Sequence, residues 1–201
     1  TLDIVSEDLD ENYPGELHVA LTYTLTEENE LKLEYKATST KDTIINLTHH
    51  SYFNLDGNDA TVLNQSMRIE SDKILEKNPY NIPTGNFTDL AHHDFDFRKS
   101  KKCPASIDNS FVLEPTNNAV AQLFSSKYNL QMSVFTNQPS VHIYVGGNCF
   151  DILKGKNSAD YHPSSGICFE TQNFPDAPNQ QHFPNSVLKK GEEYHQTTVY
   201  K

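Results

Sequence analysis

The chain has 201 residues, with 16 Lys and Arg against 27 Asp and Glu, and a formal net charge of −11 at pH 7. An acidic chain of this kind repels phosphate backbones and anionic lipid, so nucleic acid and membrane surfaces are excluded as favoured partners and a neutral or cationic small molecule is expected. The length suits one all-β domain over residues 1–201.

Three cysteines, Cys103, Cys149 and Cys168, are widely spaced and odd in number. They match neither a metal-binding Cys pair nor a disulfide scaffold, so we expect three reduced thiols in a cytoplasmic protein. The sequence holds no apolar run as long as a membrane span, and its first residues lack the basic and apolar regions of a secretion signal.

The first half of the chain shows apolar residues at every second position. This alternation runs from Leu17 to Leu25 and resumes from Leu31 to Tyr35 after a polar turn, which predicts a hairpin with one buried face. A further strand is predicted over Thr43 to Leu47, and another from Val62 to Ile69.

The second half is interrupted by a long irregular stretch. Periodicity is lost over 71–102, which predicts a packed excursion without regular elements. Strands are then predicted near 111–114, 120–124, 128–134, 141–145 and 193–200, with a loop over 150–165. Because no amphipathic helix of normal length is found, the fold is predicted to be a twisted antiparallel β-sandwich.

One stretch between these strands places a carboxylate on a rigid support. Ile167, Cys168 and Phe169 are expected to end an apolar strand that delivers Glu170 to a turn rich in Pro and Asn. A general base is mounted in this way. From this stretch alone, a surface Glu at a strand end is the simpler interpretation.

A second motif favours the interpretation of Glu170 as a general base over that of a surface Glu. Asn46-Leu-Thr-His-His-Ser-Tyr-Phe-Asn-Leu-Asp-Gly57 resembles the Asn-x-Thr-Asn-His-x-Tyr-Phe-Asn-Leu signature of the aldose 1-epimerases, the galactose mutarotases, and Glu170-Thr-Gln-Asn-Phe-Pro-Asp-Ala-Pro-Asn179 resembles their carboxylate motif. Similar segments also occur at 82–85, 95–98, 107–113, 136–144 and 187–194. The resemblance covers essentially the whole chain, whose opening is similar to the middle of family members.

The resemblance implies an isomerase that interconverts the α and β anomers of galactose- or glucose-type aldoses. In the family, a Glu at the position of Glu170 is the base and a His at the position of His50 is the acid that together open the sugar ring. No metal and no organic cofactor is expected. A metal site made from His49 and His50 with the 92–94 segment is disfavoured, because adjacent histidines on a strand face opposite ways.

Two further residues are expected to bind the sugar. The family has an Asp at the position of Asp108, and His142 stands where many members have a Gln that faces the sugar. A turn-forming Asp before a strand is the alternative interpretation of Asp108. His49 is expected on the face opposite His50, where it supports the fold or lies at the surface.

The N-terminal strands of the family have no counterpart in this sequence. Three accounts stay open: a fragment of a longer enzyme, one half of a two-chain enzyme, or a sugar-binding protein without turnover. A second chain or self-association is expected to cover the uncovered sheet edges. A non-catalytic carbohydrate-binding module and a hexose-6-phosphate 1-epimerase are the alternative functions, the latter disfavoured because Arg68 and Arg98 are the only arginines.

Overall fold

The structure, a computed structural model, describes residues 1–146 and 154–201. Within them, the strands form an eight-stranded sheet, a six-stranded sheet and a two-stranded ribbon, and every pairing is antiparallel. The larger sheet contains, in spatial order, β1 (Leu2–Ser6), β2 (Leu17–Leu25), β3 (Leu31–Ser39), β16 (Glu193–Tyr200), β12 (Leu130–Thr136), β11 (Ala121–Ser125), β6 (Ser66–Ile69) and β9 (Lys101–Lys102).

The smaller sheet carries the residues that matter for function. Its strands are, in spatial order, β5 (Tyr52–Phe53), β14 (Ile167–Gln172), β13 (Ser140–Val145), β10 (Ile107–Val112), β7 (Lys73–Lys77) and β8 (Pro83–Asp89). The ribbon pairs β4 (Thr43–Ile44) with β15 (Val187–Leu188). Short 3-10 turns span Asp10–Asn12, Val62–Asn64, Lys156–Ser158 and Ala177–Asn179.

The core lies between the two large sheets. Leu33 and Val134 of the larger sheet and Phe111 and Phe169 of the smaller one are fully buried in the same cluster. Each such side chain contributes about 1.5–3 kcal/mol by leaving water. The hydroxyl of Tyr200 also donates to the Phe169 carbonyl at 2.9 Å, which ties the two sheets together.

Successive side chains of β14 point to opposite faces of the smaller sheet. Ile167 and Phe169 point into the core between the sheets, whereas Cys168 and Glu170 face the other side of the smaller sheet. That side is partly covered by a second apolar cluster formed by Leu75, Phe174, Ala177 and Phe183. Glu170 is buried although it does not point into the main core.

The predicted all-β antiparallel fold is confirmed, as are the hairpin of β2 with β3 and the last strand. The irregular stretch predicted over 71–102 was wrong, because it contains β7, β8 and β9. A bulge between Leu75 and Lys77 shifts the alternation of β7, while Pro83 and Gly85 break the pattern of β8, so the period-two signal is hidden.

Other boundaries also differ from the prediction. The strand predicted from Thr43 to Leu47 ends at Ile44, and the one predicted from Val62 begins at Ser66 after a 3-10 turn. β1 was not predicted, because its residues are mostly exposed and show no clear alternation of burial. The predicted loop over 150–165 lies partly outside the described residues; its remainder has a β-bridge between Lys154 and Asp160.

Cys103 and Cys168 are free buried thiols, as predicted, whereas Cys149 lies outside the described residues. None of the helices in the described ranges has the length and apolar character needed to cross a membrane.

Candidate active site

The strand register of the smaller sheet brings the predicted residues together. His142 on β13 is paired with Glu170 on β14 on one side and with Ser110 on β10 on the other. Asp108 lies two residues before Ser110 and shares its face. Three neighbouring strands therefore present one polar row on the side of the sheet away from the main core.

His50 reaches this row from outside the regular strands. It lies in the irregular segment that leads into β5, and β5 is held beside β14 by the pairing of Tyr52 with Cys168. His50 Nε2 is 3.3 Å from Glu170 Oε1. The Glu170 side chain is 10% exposed and that of His50 is 51% exposed, so the carboxylate forms the floor of the site and the imidazole its rim.

Burial sets the protonation behaviour of Glu170. Loss of solvent raises the pKa of the Glu170 carboxyl above its usual range, and the negative charge of Asp108 adds to this effect. The nearby His142 and His50 oppose the shift. The carboxylate is thus a stronger base than a free Glu side chain.

The two sequence motifs are tied to each other by side-chain to backbone bonds. Asn46 Nδ2 donates to the Asn173 carbonyl at 3.0 Å, and the Asn173 backbone N–H donates to Asn46 Oδ1 at 2.9 Å. The Thr48 hydroxyl donates to the Thr171 carbonyl at 3.1 Å. These bonds fix the segment before His50 against the strand that carries Glu170.

The ring of His50 is held on several sides. Cys168 Sγ lies 3.4 Å from Nδ1, so Nε2 is the nitrogen that faces Glu170. The rings of Tyr52 and Tyr144 lie 5.2 Å and 6.1 Å from the imidazole, centroid to centroid. These contacts fix the orientation of the imidazole without closing its exposed edge.

Asp108 and His142 form a hydrogen-bonded pair. His142 Nε2 is 2.9 Å from Asp108 Oδ1, and His142 Nδ1 is 2.8 Å from the Ser110 hydroxyl. Lys77 Nζ donates to Asp108 Oδ2 at 3.1 Å and to the Asp108 carbonyl at 2.5 Å. The bond from His142 and the Lys77 charge lower the pKa of Asp108 to about 2.

The structure therefore groups all four residues that the sequence singled out, with two differences in their setting. Glu170 and Asp108 lie within strands, whereas Glu170 was expected at the end of a strand and Asp108 just before one. Both ring nitrogens of His142 already have protein partners, so any ligand that bonds to His142 must replace one of these bonds.

Three residues of the site were missed from the sequence. Lys77 lay in the stretch that was taken as irregular. Ser110 and Cys168 each stand two positions from a predicted site residue, so alternation along β10 and β14 is the signal that could have found them.

His49 lies on the opposite side of its segment from His50. Its ring packs 5.9 Å from that of Tyr23 and 5.8 Å from that of Tyr200, and its Nε2 is 3.1 Å from the Ser51 hydroxyl. Burial lowers the pKa of His49. It supports the fold, as expected.

Comparison with known proteins gives the class to which this fold and site belong. The family model described as aldose 1-epimerase matches residues 1–201, so the chain belongs to the aldose 1-epimerase family. Human galactose mutarotase is 39% identical over 98% of this chain, and the aldose 1-epimerase of Escherichia coli K12 is 30% identical over 97% of it.

Solved structures agree with the sequence relatives. The GalM/aldose epimerase homologue from C. elegans superposes with a TM-score of 0.89 at 29% identity, covering 99% of this chain and 63% of that protein. Galactose 1-epimerase from Lactobacillus acidophilus gives a TM-score of 0.85 at 27% identity, with 100% and 61% covered. The chain spans 60% of the length of the human relative and 61% of that of the E. coli relative.

Proposed function

We propose that this chain carries the proton-transfer site of an aldose 1-epimerase, with Glu170 as base and His50 as acid. The observation that carries the proposal is the 3.3 Å separation of His50 Nε2 from Glu170 Oε1. The anomeric hydroxyl and the ring oxygen of an aldose are bonded to the same carbon. An acid and a base that serve these two oxygens must therefore stand side by side, as these two groups do.

The reaction follows from this placement. Glu170 accepts the proton of the anomeric hydroxyl while His50 Nε2 donates a proton to the ring oxygen, so the bond from the anomeric carbon to the ring oxygen breaks and a carbonyl forms. Rotation about the adjacent carbon–carbon bond presents the other carbonyl face. Reclosure returns a proton from Glu170 to the sugar and one from the ring hydroxyl to His50, which restores both groups.

Asp108 and His142 are proposed to bind sugar hydroxyls beside this pair. Asp108 keeps its negative charge because His142 and Lys77 hold it, so it offers a fixed acceptor for hydroxyl groups. His142 stands between Ser110 and Asp108 and sets the direction of the carboxylate. We propose no metal and no organic cofactor for this chemistry.

The ligand is proposed to be a neutral aldose of the galactose or glucose type. A phosphorylated sugar is disfavoured, because both arginines already pair with carboxylates. Arg68 Nη2 is 2.5 Å from Glu70, and Arg98 is 2.8 Å from Asp96 and 3.0 Å from Asp72. Neither arginine is therefore free to clamp a phosphate in the planar two-bond geometry that guanidinium groups provide.

Additional polypeptide is proposed to complete the molecule. Leu2 and Ile4 on the edge strand β1, and Leu25 at the end of the neighbouring β2, are each more than half exposed. A groove of about 1090 Å³, lined in part by Phe87, Val112 and Phe135 and by none of the four predicted site residues, opens elsewhere. We propose that a region equivalent to the remainder of the longer relatives, a second chain or a second copy covers these surfaces. The free thiols suit a reducing cytoplasmic setting.

A carbohydrate-binding module without turnover is the second candidate, because His50 stays half exposed and the chain spans only 60% of the human relative. Polarimetry on freshly dissolved α-galactose separates the two. The enzyme accelerates the approach to anomeric equilibrium over buffer, whereas the module leaves it unchanged yet still releases or absorbs heat on galactose titration. Failure of both readings contradicts the site assignment. Stronger binding of galactose 6-phosphate than of galactose would instead favour the phosphosugar epimerase.

A further inference from the structure

Three different metal-binding side chains converge at one point of the site. An imidazole nitrogen of His50, the sulfur of Cys168 and a carboxylate oxygen of Glu170 all lie within 4.8 Å of one another. Two of the separations are shorter: His50 Nδ1 to Cys168 Sγ is 3.4 Å, and His50 Nε2 to Glu170 Oε1 is 3.3 Å. Cys168 and Glu170 share one face of β14, so the strand fixes two of the three groups.

This spacing suits a tetrahedral ion. Zinc binds sulfur at about 2.3 Å and nitrogen or oxygen at about 2.0–2.2 Å, so two ligands of one zinc ion lie about 3.3–3.7 Å apart. The two short separations are close to this value but involve different nitrogens of His50. With one ligand atom from each residue, all three atoms still lie within 4.8 Å of one another, so modest side-chain adjustments are needed to bring them around one ion.

We propose that His50, Cys168 and Glu170 form an inhibitory binding site for a soft divalent cation, with Zn²⁺ as the foremost candidate. The ion is not a cofactor, since it occupies the acid and the base that the proposed reaction needs. A fourth position on the exposed side of His50 remains open to water. The inhibition rests on the proposed function, whereas the binding of the ion does not.

Charge balance supports this site. Cys168 is a free buried thiol whose sulfur lies 3.4 Å from His50 Nδ1. An ion that binds the sulfur releases the thiol proton to solvent. One thiolate and one carboxylate then balance the charge of a doubly charged cation, so the occupied site carries no uncompensated buried charge.

The test uses Co²⁺ as a spectroscopic probe, in the full chain with Cys149→Ser as background. Co²⁺ titration is expected to saturate at one equivalent and to produce a thiolate-to-cobalt charge-transfer band that Zn²⁺ then removes. Cys168→Ser should abolish this band and weaken the affinity for Zn²⁺, measured by calorimetry, at least about 10-fold, since even outer-sphere changes cost that much. Cys103→Ser, a buried thiol in the main core, is the matched control and should keep the band.

A second variant shows whether loss of the band in Cys168→Ser results from loss of the ligand or from unfolding. Glu170→Gln keeps the thiol, so it should retain the charge-transfer band at saturating Co²⁺ while its affinity for Zn²⁺ falls at least about 10-fold. Absence of a saturable band in the background protein, or a band that survives Cys168→Ser, would overturn the proposal. Anomerisation blocked by one equivalent of Zn²⁺ and restored by EDTA supports the inhibitory role. If the charge-transfer band appears but the metal-free protein does not accelerate anomerisation, the metal site is supported and the proposed function is contradicted.

Discussion

Glu170 and Asp108 are two carboxylates on one sheet face whose pKa values are moved in opposite directions. Burial raises the pKa of Glu170, whereas the hydrogen bond from His142, helped by Lys77, lowers that of Asp108. Because their pKa values are shifted apart, Glu170 is suited to proton transfer and Asp108 to holding a permanent negative charge. The environment of each side chain thus supports the roles proposed for them.

Replacement of Asp108 by Asn is expected to change how stability depends on pH. A carboxyl with a folded-state pKa of about 2, below its ordinary value of 3.8, stabilises the fold at higher pH and loses that contribution as pH falls from about 4 to about 2. Thermal unfolding should therefore show the wild type more stable than Asp108→Asn at pH 6, with the gap closing near pH 2. A gap of constant size over this range would contradict the charge-stabilised pair.

At the scale of elements, the close approach of β5 to β14 positions His50. Gly166, just before β14, permits it: a Cβ built on this glycine would lie 2.7 Å from Cβ of Tyr52, too close for either backbone to stay in place. The glycine therefore lets the strand beside His50 pack directly on the strand that bears Glu170.

Gly166→Ala should accordingly displace β5 and the adjoining His50. A shift of about 1 Å in a catalytic group can cost about 10²-fold in rate, so we expect a loss of turnover of that order in the polarimetric assay. Gly191→Ala is the matched control, since it introduces a methyl at φ +85° with no atom within 4 Å. It should cost about 1 kcal/mol of stability and leave turnover intact. Equal turnover in the two variants would show that β5 does not set the site.

The elements also show how far the sequence could predict this structure. Strands with regular alternation, such as β2 and β16, were predicted close to their observed bounds, and β3 was predicted at its start but runs on to Ser39. β7 and β8 were hidden by a bulge and by Pro83 and Gly85. No spacing rule indicates that His50 meets Glu170, because that contact depends on the pairing of β5 with β14; the family resemblance alone pointed to it.

At the scale of the whole molecule, one core joins the two large sheets. Residues from β3, β6, β11, β12 and β16 pack in the same buried cluster as residues from β7, β10, β13 and β14. This continuity supports the proposal that residues 1–201 form one domain.

The chain should therefore unfold in a single cooperative transition. Calorimetry and circular dichroism are expected to give coincident midpoints, and the calorimetric enthalpy should equal the van't Hoff enthalpy. Two resolved transitions would show that the sheets belong to separate folding units. The exposed apolar residues at the β1 edge make low protein concentration a necessary condition of the measurement.

The central claim is that His50 and Glu170 exchange protons with the sugar as an adjacent acid and base. Its most direct test compares anomerisation of α-galactose by the wild type, Glu170→Gln and His50→Asn in metal-free buffer. Each substitution should lower kcat by about 10²–10⁴-fold, while the heat of galactose binding changes little and the circular dichroism spectrum is unchanged. A folded variant of either kind that retains the wild-type rate would contradict the account.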